Sequence, residues 1–322
     1  MKKYVLISSI SDDKSTSDVI EWLNFYNVPF IRINEQDEII LSEYYFNNDN
    51  LHFELIIKNR KKIIKSNEII AYWYRRGDIS SQVTIKKSIN NFDKKIIDLL
   101  NYENSFLFNS IHFLLSKIVK KSINSKSDNY TNKIINLLLA KEIGLNIPET
   151  LITTQKKKTS KIISDKIIKS IGFNEINFDN KILMQQKTEI YDQNFVNDSF
   201  FPTLFQNKIN KVFEIRSFFL NDEFYSTAIF SQKDKKTEID FRNYNYDTPN
   251  RTPPYNLPEN IKNKLIKLMN KLEMKSGSID LIYTDEDKFI FLEINPIGQF
   301  MQVSIPGNYY LEKKIAEYLI AE

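Results

Sequence analysis

Alternating apolar and polar residues near the C-terminus predict a β-hairpin. Two apolar runs, residues 279–283 and 289–294, flank an acidic stretch of sequence Thr-Asp-Glu-Asp-Lys. Apolar runs of this length on either side of a short polar segment are typical of two strands joined by a turn. We place Glu286 and Asp287 at the centre of that turn, which fixes the register of the two strands.

The predicted register brings three oxygen-bearing side chains together. Asp280 faces Glu293 directly across the strand pair, and Asn295, two residues beyond Glu293, shares the same strand face. Facing carboxylates repel each other unless a cation lies between them, and carboxylate and amide oxygens are the ligands that Mg²⁺ prefers. The hairpin therefore indicates a magnesium site that also binds phosphate oxygens. The alternative is a solvated acidic edge, which the apolar flanking runs disfavour.

Periodic patterns along the rest of the chain predict an α/β segment followed by α+β segments. The opening strand Tyr4–Ser9, a helix over 15–27 and a strand over 29–33 form a β-α-β unit, which is how a parallel sheet begins. A helix over about 92–121 and a polar stretch over 122–129, interpreted as a linker, follow. The other predicted elements are helices at 132–143, 257–272 and 310–320, and strands at 53–57, 69–74, 150–153, 167–171, 182–186, 200–205, 212–220 and 224–231. The last two strands form a predicted hairpin about Asn221 and Asp222.

The composition is that of a soluble globular protein and excludes several kinds of chemistry. Of 322 residues, 42% are apolar and 27% charged, and a net charge of +4 is too small to indicate nucleic-acid binding. The absence of cysteine excludes disulfides, thiolate catalysis and cysteine-ligated zinc, and two histidines argue against a histidine metal site. The first apolar run is too short for a signal peptide and no run is long enough to span a membrane, so we expect a cytoplasmic protein.

Several basic residues are candidates for anion binding, although each also has a plainer interpretation. Lys133 is predicted on a helix, where an exposed lysine is ordinary. Lys169 lies on a strand of isoleucines, where it is either a buried lysine that needs an anion or a residue on a wet edge. Arg216 shares a strand face with Glu214, and Arg242 closely follows an aspartate, so either arginine has an acidic residue to pair with. There is no Walker A motif or dinucleotide fingerprint, so any bound phosphate would be held by lysines, arginines and metal.

Taken in order, these residues resemble the ATP-grasp fold, in which two α+β subdomains clamp ATP. Within that fold the sequence resembles the graspetide maturases, the microviridin-type ω-ester and ω-amide peptide ligases, and particularly their grasp-with-spasm subgroup. The resemblance covers residues 130–322, and the preceding α/β segment takes the place of a pre-ATP-grasp domain. The segments that carry it are Trp73-Tyr74-Arg75-Arg76, Glu214-Ile215-Arg216, Asp240-Phe241-Arg242, 277–282, 292–300 with Gln299, and 304–313.

The resemblance implies an α+β fold class and three domains. An N-terminal α/β pre-ATP-grasp domain with the long helix would occupy residues 1–125. The central ATP-grasp subdomain would occupy 126–198, and the C-terminal subdomain, with the magnesium site, 199–322. One feature departs from the family pattern: the loop over 170–180 has a single glycine, Gly172, where many ATP-grasp enzymes have a glycine-rich phosphate flap.

The resemblance also implies individual site residues for nucleotide, metal and catalysis. The lysines would bind the ATP phosphates, and Gln206 would lie beside the adenine in the hinge between the subdomains. The arginines would contact the γ-phosphate and the substrate carboxylate. The implied residues are Lys133, Lys169, Gln206 and Asn295 for ATP, Asp280, Glu293 and Asn295 for Mg²⁺, and Arg216 and Arg242 for catalysis.

The implied activity is that of an ATP-dependent peptide macrocyclase. It would phosphorylate Asp or Glu side chains of a ribosomally made precursor peptide and join them to Ser/Thr hydroxyls as esters or to Lys amines as amides, releasing ADP and phosphate. The implied partners are a precursor with leader and core regions and a second copy of the chain, without nucleic acid or membrane. Two alternatives are a RimK-like carboxylate–amine ligase that adds an amino acid to a protein or small molecule, and a non-catalytic nucleotide-binding partner protein.

Overall fold

The computed structural model describes most of the chain as regular strands and helices. The described residues are 3–80, 91–162, 165–172, 175–178, 181–185, 188–192, 194, 197–232, 234, 237–238, 245 and 247–321. The strands are β1 (Tyr4–Ser9), β2 (Phe30–Asn34), β3 (Ile39–Phe46), β4 (Leu51–Ile57), β5 (Lys62–Lys65), β6 (Ile69–Tyr74), β7 (Lys121–Ile123), β8 (Thr150–Gln155), β9 (Lys166–Lys169), β10 (Glu175–Phe178), β11 (Lys181–Gln185), β12 (Glu189–Ile190), β13 (Ser199–Asn207), β14 (Lys211–Leu220), β15 (Glu223–Ile229), β16 (Pro254–Tyr255), β17 (Ser276–Thr284) and β18 (Phe289–Asn295). The helices are α1 (Lys14–Phe25), α2 (Asn91–Ile118), α3 (Lys133–Glu142), α4 (Glu259–Lys271), α5 (Met301–Gly307) and α6 (Leu311–Ile320), with short 3₁₀ segments at Lys58–Arg60, Ser66–Glu68, Lys126–Tyr130 and Lys156–Lys161.

The N-terminal part is a parallel sheet of order β2-β1-β6-β7 with helices on both faces. Every residue of β1 is buried, as expected for a strand covered on both sides. On one face, Val5 and Ile7 pack against Val19 of α1 and against α6. On the other face, the second half of α2 packs into a core that includes Leu6.

A three-stranded antiparallel sheet, β3-β4-β5, extends this part of the molecule. Only β4 was predicted from the sequence, because β3 is largely exposed and β5 has only four residues, so neither has a strong apolar period. The polar stretch after α2 is also not simply a linker. Its first two residues belong to β7, the edge strand that pairs in parallel with β6, and its last residues form a 3₁₀ helix.

The middle sheet has the order β12-β9-β13-β8, and β10 and β11 form a separate antiparallel pair. β13 pairs with both β8 and β9, so this strand completes the sheet of the preceding segment. The chain then passes through residues 208–210 into β14, which belongs to another sheet. The end of β13 is therefore the point where the chain crosses between the two sheets.

The C-terminal sheet is antiparallel, with the order β16-β15-β14-β17-β18. Its hairpin between β14 and β15 turns at Asn221 and Asp222, whose φ angles of 46° and 69° are those of a two-residue type I′ turn, as the sequence predicted. α3 and α4 cover one face through a core that includes Ile215, Leu265 and Phe291. The other face joins the N-terminal sheet and α5 in one cluster. No helix among the described residues is long and apolar enough to cross a membrane.

Candidate functional site

The hairpin of β17 and β18 has the predicted pairing of Asp280 with Glu293, but its turn and the pairing next to the turn differ from the prediction. The turn runs over residues 284–288 with Asp287 in the left-handed region (φ 58°), so the two-residue turn that we predicted is wrong. Tyr283 consequently pairs with Phe289, one residue short of the predicted register. A bulge that adds one residue to β18, Leu292, restores it before Glu293 is reached.

Charged residues occupy neighbouring positions on three adjacent strands. Arg216 on β14 pairs with Asp280 on β17, which pairs in turn with Glu293 on β18. The Arg216 Nη1 lies 3.2 and 3.3 Å from the two Asp280 carboxylate oxygens, and both residues are over 90% buried. Glu214, the other candidate partner of Arg216, instead accepts a hydrogen bond from Lys211 and lies 3.4 Å from the Ser231 hydroxyl. Arg216 is thus directed at the metal-ligand candidates.

Lys133, at the start of α3, adds a second positive charge beside Glu293. Asn132 caps the N-terminus of α3 by accepting hydrogen bonds from the next backbone N–H groups, which sets Lys133 at the first helical position. The Lys133 Nζ lies 3.0 Å from Glu293 Oε2 and donates to the Ser170 carbonyl at 3.4 Å. Asn295 Nδ2 lies 3.4 Å from Glu293 Oε1. Two cations, two carboxylates and one amide thus form a continuous cluster.

Two further predicted residues lie on the middle sheet. Lys169 ends β9, is partly buried, and precedes the residue whose carbonyl Lys133 contacts. Gln206 is 2% exposed near the end of β13, pairs with Thr150 and Ile167, and donates from Nε2 to the Thr150 hydroxyl at 3.0 Å. Gln206 therefore lies where the chain leaves the middle sheet, and not in the charged cluster. The prediction for Arg242 lies outside the described residues.

The oxygen ligands present fit a magnesium-bound phosphate better than a closed metal cage. Among the described residues, no group of three or more His, Cys, Asp or Glu side chains converges on one point. Asp280 and Glu293 supply two carboxylates and Asn295 an amide, and Mg²⁺ in nucleotide sites takes one or two carboxylates together with phosphate oxygens. Arg216 Nε and the neighbouring Thr227 hydroxyl are buried and have no hydrogen-bond partner among the described residues, so both could bind a ligand beside the carboxylates.

The N-terminal part of the chain contacts the segment that follows β18. Arg75, at the end of β6, is 5% exposed and donates to the carbonyls of Ile297 at 2.9 Å and Gly298 at 3.1 Å. Its Nε lies 3.2 Å from the buried Asp13 carboxylate, and it also donates to Ser15 at 3.1 Å. Burial lowers the pKa of Arg75 to about 10, with Asp13 opposing the shift, so the guanidinium stays charged at neutral pH.

Asn124 makes a second connection between the two parts. This 7%-exposed residue donates from Nδ2 to the carbonyls of Ser276 at 3.0 Å and Pro296 at 3.1 Å. Its Oδ1 accepts from the Ser276 N–H at 3.0 Å. Its φ of 56° lies in the left-handed region, which asparagine tolerates. Both ends of the hairpin that carries Asp280 and Glu293 are therefore fixed from outside their own sheet.

Gly298 is predicted to be intolerant of even one additional methyl group. A Cβ at this position would overlap the Ser278 side chain and lie 2.8 Å from the Ser278 backbone N. We expect Gly298→Ala to destabilise the protein by about 1–3 kcal/mol in urea unfolding, as overpacking does. Gly172→Ala is the matched control, because a Cβ there meets no described residue within 4 Å, and it should leave stability nearly unchanged. Equal stability of the two variants would contradict the close packing.

Three contributors to this site were not identified from the sequence as acting there. Arg75 was recognised only as part of a motif, while Lys211 and Asn124 were not singled out. Lys211 and Glu214 are three residues apart across a bulge in the β14–β17 pairing, so strand alternation does not reveal that they meet. The carbonyl groups at the ends of the β17–β18 hairpin that Arg75 and Asn124 contact lie more than 150 residues away in sequence. The basic pair at the end of β6 was the one available signal.

The chain has the ATP-grasp fold, because its structure is similar over nearly its whole length to solved ATP-grasp ligases. Its structure is similar to that of the RiPP-associated ATP-grasp ligase of Chryseobacterium gregarium in complex with ADP and a leader and core peptide, with a TM-score of 0.80, 23% identity and coverage of 98% of this chain and 96% of the other. It is also similar to macrocyclase MdnC bound with precursor peptide MdnA from Microcystis aeruginosa MRC (TM-score 0.73, 21% identity, 99% and 100% covered).

A third similar structure is the ATP-grasp ligase PsnB complexed with a phosphomimetic variant of a minimal precursor, Mg and ADP (TM-score 0.70, 14% identity, 100% and 99% covered). The sequence matches no protein-family model and no curated protein. At these identities the comparisons establish the fold. The resemblance to graspetide-type maturases that the sequence suggested is thus confirmed at the level of the fold, over the N-terminal part as well as residues 130–322.

Proposed function

We propose that this chain is an ATP-dependent ligase that phosphorylates Asp or Glu side chains of a ribosomally made precursor peptide. It then forms intramolecular ester links to Ser/Thr or amide links to Lys, and releases ADP and phosphate. The observation that carries the proposal is the continuous cluster of Arg216, Asp280, Glu293, Asn295 and Lys133 at the junction of three strands and a helix. The similar structures that hold ADP and precursor peptides support it.

In this proposal the cluster binds the phosphate end of ATP with Mg²⁺. Asp280, Glu293 and Asn295 would hold the metal, and Lys133 and Lys169 the phosphates. A bound metal would neutralise the charge that develops on the phosphate oxygens during transfer. Metal binding between the carboxylates requires the present ion pairs to loosen, which would make Lys133 available to phosphate.

Gln206 would lie beside the adenine, because it is buried at the crossing between the middle and C-terminal sheets, where a ligand held between the two would bind. The predicted three-domain division at 1–125, 126–198 and 199–322 stays a proposal with one change. Because β13 pairs within the middle sheet, we propose that the boundary between the second and third domains lies just after Gln206 and not at residue 198.

The reaction requires an anionic carboxylate to attack an anionic phosphate. Positively charged side chains lower the electrostatic barrier to that attack. Attack of a peptide carboxylate on the γ-phosphorus forms an acyl phosphate and breaks the bond to ADP. Arg216, once its ion pair with Asp280 has loosened, and Arg242 would neutralise the incoming carboxylate and the transferred phosphoryl group. A hydroxyl or amine of the same peptide then attacks the acyl carbon, phosphate leaves, and the link forms. Because donor and acceptor belong to one bound chain, proximity contributes much of the rate of this step.

The partners in this proposal are a precursor peptide, with a leader and a core rich in Ser/Thr and Asp/Glu, and a second copy of the chain. The test is incubation of the purified protein with ATP, Mg²⁺ and the peptide encoded by the neighbouring short reading frame. We expect ADP release together with the loss of one water mass per linkage. A gain in mass equal to an added amino acid would instead support a RimK-like ligase, and the absence of ATP turnover a non-catalytic binding protein.

A further inference from the structure

One edge of the middle sheet has an open groove beside it. β8 is the last strand in the order β12-β9-β13-β8, and among the described strands it pairs only with β13. The groove has a volume of about 390 Å³ and is lined by residues 151–155 of β8, by Lys158 and Lys161 of the following 3₁₀ helix, and by Pro202 of β13. None of these lining residues is acidic. The groove therefore combines a sheet edge with two positive charges.

The backbone of β8 is directed into this open edge at Ile152. The Asn207 N–H donates to the Glu149 carbonyl at 3.2 Å, which marks these two residues as a hydrogen-bonded pair. In an antiparallel ladder, such pairs alternate with pairs whose backbone groups point outward. Counted from Glu149, Leu151 and Thr153 face β13, and Ile152 directs its N–H and C=O away from it. An additional extended strand could pair with Ile152 there.

The sequence of β8 lacks the usual protection of a sheet edge. Proteins commonly place lysine or proline on an edge strand so that other chains do not pair with it. β8 reads Thr-Leu-Ile-Thr-Thr-Gln, without charge or proline, and Ile152 is 39% exposed. The lysines lie beside this strand and not on it. An uncharged edge flanked by positive charge is suited to pairing with an extended chain that has negative side chains.

The 3₁₀ helix Lys156–Lys161 supplies positive charge that is not neutralised within the described part of the chain. Four of its six residues are lysines, and none of the four has an ion pair with a described residue. By contrast, Lys271 and Lys288 elsewhere on the surface each pair with a glutamate. Because a 3₁₀ helix has three residues per turn, Lys158 and Lys161 lie on the same face, and both are exposed. The groove is therefore electrostatically complementary to carboxylates.

We propose that this groove binds an extended, carboxylate-rich segment of the precursor peptide as an additional strand next to β8. The peptide backbone would pair with Ile152. Alternate side chains of a strand point to the same side, so Asp or Glu at every second position would be directed towards Lys158 and Lys161. The inference rests on the part of the proposed function that makes the substrate a peptide rich in Asp and Glu.

The groove begins close to the crossing between the middle and C-terminal sheets. Gln206 donates to the hydroxyl of Thr150, which is the residue before the groove. A strand rises about 3.3 Å per residue, so Ile152 lies only about 7 Å along β8 from Thr150. One end of a peptide bound to β8 would thus lie beside this crossing. Binding in the groove would therefore raise the local concentration of the precursor next to the proposed nucleotide site.

The test is the binding of a fluorescent peptide of alternating Glu and Thr to the full-length chain without ATP, measured by anisotropy. We expect Lys158→Glu/Lys161→Glu to raise the Kd about tenfold, because it places like charges against the peptide. Lys120→Glu/Lys267→Glu is the matched control. Both of these lysines are exposed and have no ion pair with a described residue, so the Kd should stay unchanged.

Several outcomes of this experiment would overturn the groove. They are the absence of binding by the wild-type chain, an unchanged Kd in Lys158→Glu/Lys161→Glu, and equal binding of a peptide of alternating Lys and Thr. Binding of the wild-type chain to anionic lipid vesicles in place of the peptide would also overturn it, and would assign the lysines to a membrane surface.

Hydrogen–deuterium exchange tests the added strand without any substitution in β8. We expect the Glu/Thr peptide to slow amide exchange over residues 150–155 in the wild-type chain and not in Lys158→Glu/Lys161→Glu. Unchanged exchange in a wild-type chain that has bound the peptide would contradict the strand pairing. Neither measurement uses ATP, so a failed groove leaves the ligase proposal intact. Peptide binding without dehydration of the precursor would instead support the groove and contradict the ligase.

Discussion

Glu293→Gln is expected to lower ATP-dependent dehydration of the precursor by at least about 100-fold while leaving the protein folded. The carboxylate lies between Lys133 and Asn295, faces Asp280 across the strand pair, and is the best-connected oxygen donor of the cluster. Glutamine keeps the shape and one carbonyl oxygen but removes the charge that a metal ion and a phosphate-binding lysine both require. The measurements are ADP release and the mass of the peptide product.

Glu286→Gln is the matched control for this variant. Glu286 lies in the turn of the same hairpin, is exposed, and pairs only with Lys288 among the described side chains. The same chemical change there should leave turnover within about twofold of the wild type, since an exposed ion pair contributes little. Thermal unfolding of both variants separates loss of activity from loss of structure. Retained full activity in Glu293→Gln would remove this residue from the metal site and weaken the assignment of the whole cluster.

Arg75→Ala should reduce stability by about 3 kcal/mol in urea unfolding, because it removes a buried charged partner of Asp13 and leaves that carboxylate with only the more exposed Arg76. Arg75 and Asp13 are both under 10% exposed. The substitution also removes the donors to the Ile297 and Gly298 carbonyls, which hold the segment after β18. Lys58→Ala, which breaks an exposed ion pair with Glu38, is the control and should change stability by less than about 1 kcal/mol.

A double-mutant cycle and the pH dependence distinguish the ion pair from general packing. The combined loss in Arg75→Ala/Asp13→Asn should be smaller than the sum of the two single losses. Burial raises the pKa of Asp13, but Arg75, Ser15 and the Thr16 backbone outweigh it, so the pKa lies below its ordinary 3.8. This carboxylate therefore stabilises the fold above pH 4 and ceases to do so as the pH falls through its lowered pKa. An unchanged acid-unfolding midpoint in Asp13→Asn would contradict this.

The sequence predicted those features that depend on residues close together in the chain. Alternation along β18 was enough to put Glu293 and Asn295 on one face, and the Asn221–Asp222 turn was apparent from residue type, since asparagine and aspartate tolerate positive φ. The long helix was predicted from its period, as was the α+β nature of the second half. These properties are local: they depend on the backbone geometry of each segment and not on its tertiary contacts.

Other features of the site depended on the tertiary structure. Strand alternation allowed Arg216 to pair with Glu214, whereas the order of strands in the sheet pairs it with Asp280. The turn prediction was wrong by one residue, and only the bulge in β18 restored the expected register. Helix α2 has apolar residues on two of its faces, so the sequence alone does not say which of them the core buries.

The sequence by itself thus determined that Asp280, Glu293 and Asn295 lie on one face of the β17–β18 hairpin, because side-chain direction along a strand is a local property. The tertiary structure decided which cation meets which carboxylate and that Arg75 and Asn124 fix the two ends of this hairpin. Such partners lie tens to hundreds of residues apart, and the contacts between them depend on strand order, register and domain packing. None of these produces a periodic pattern of residues in the sequence.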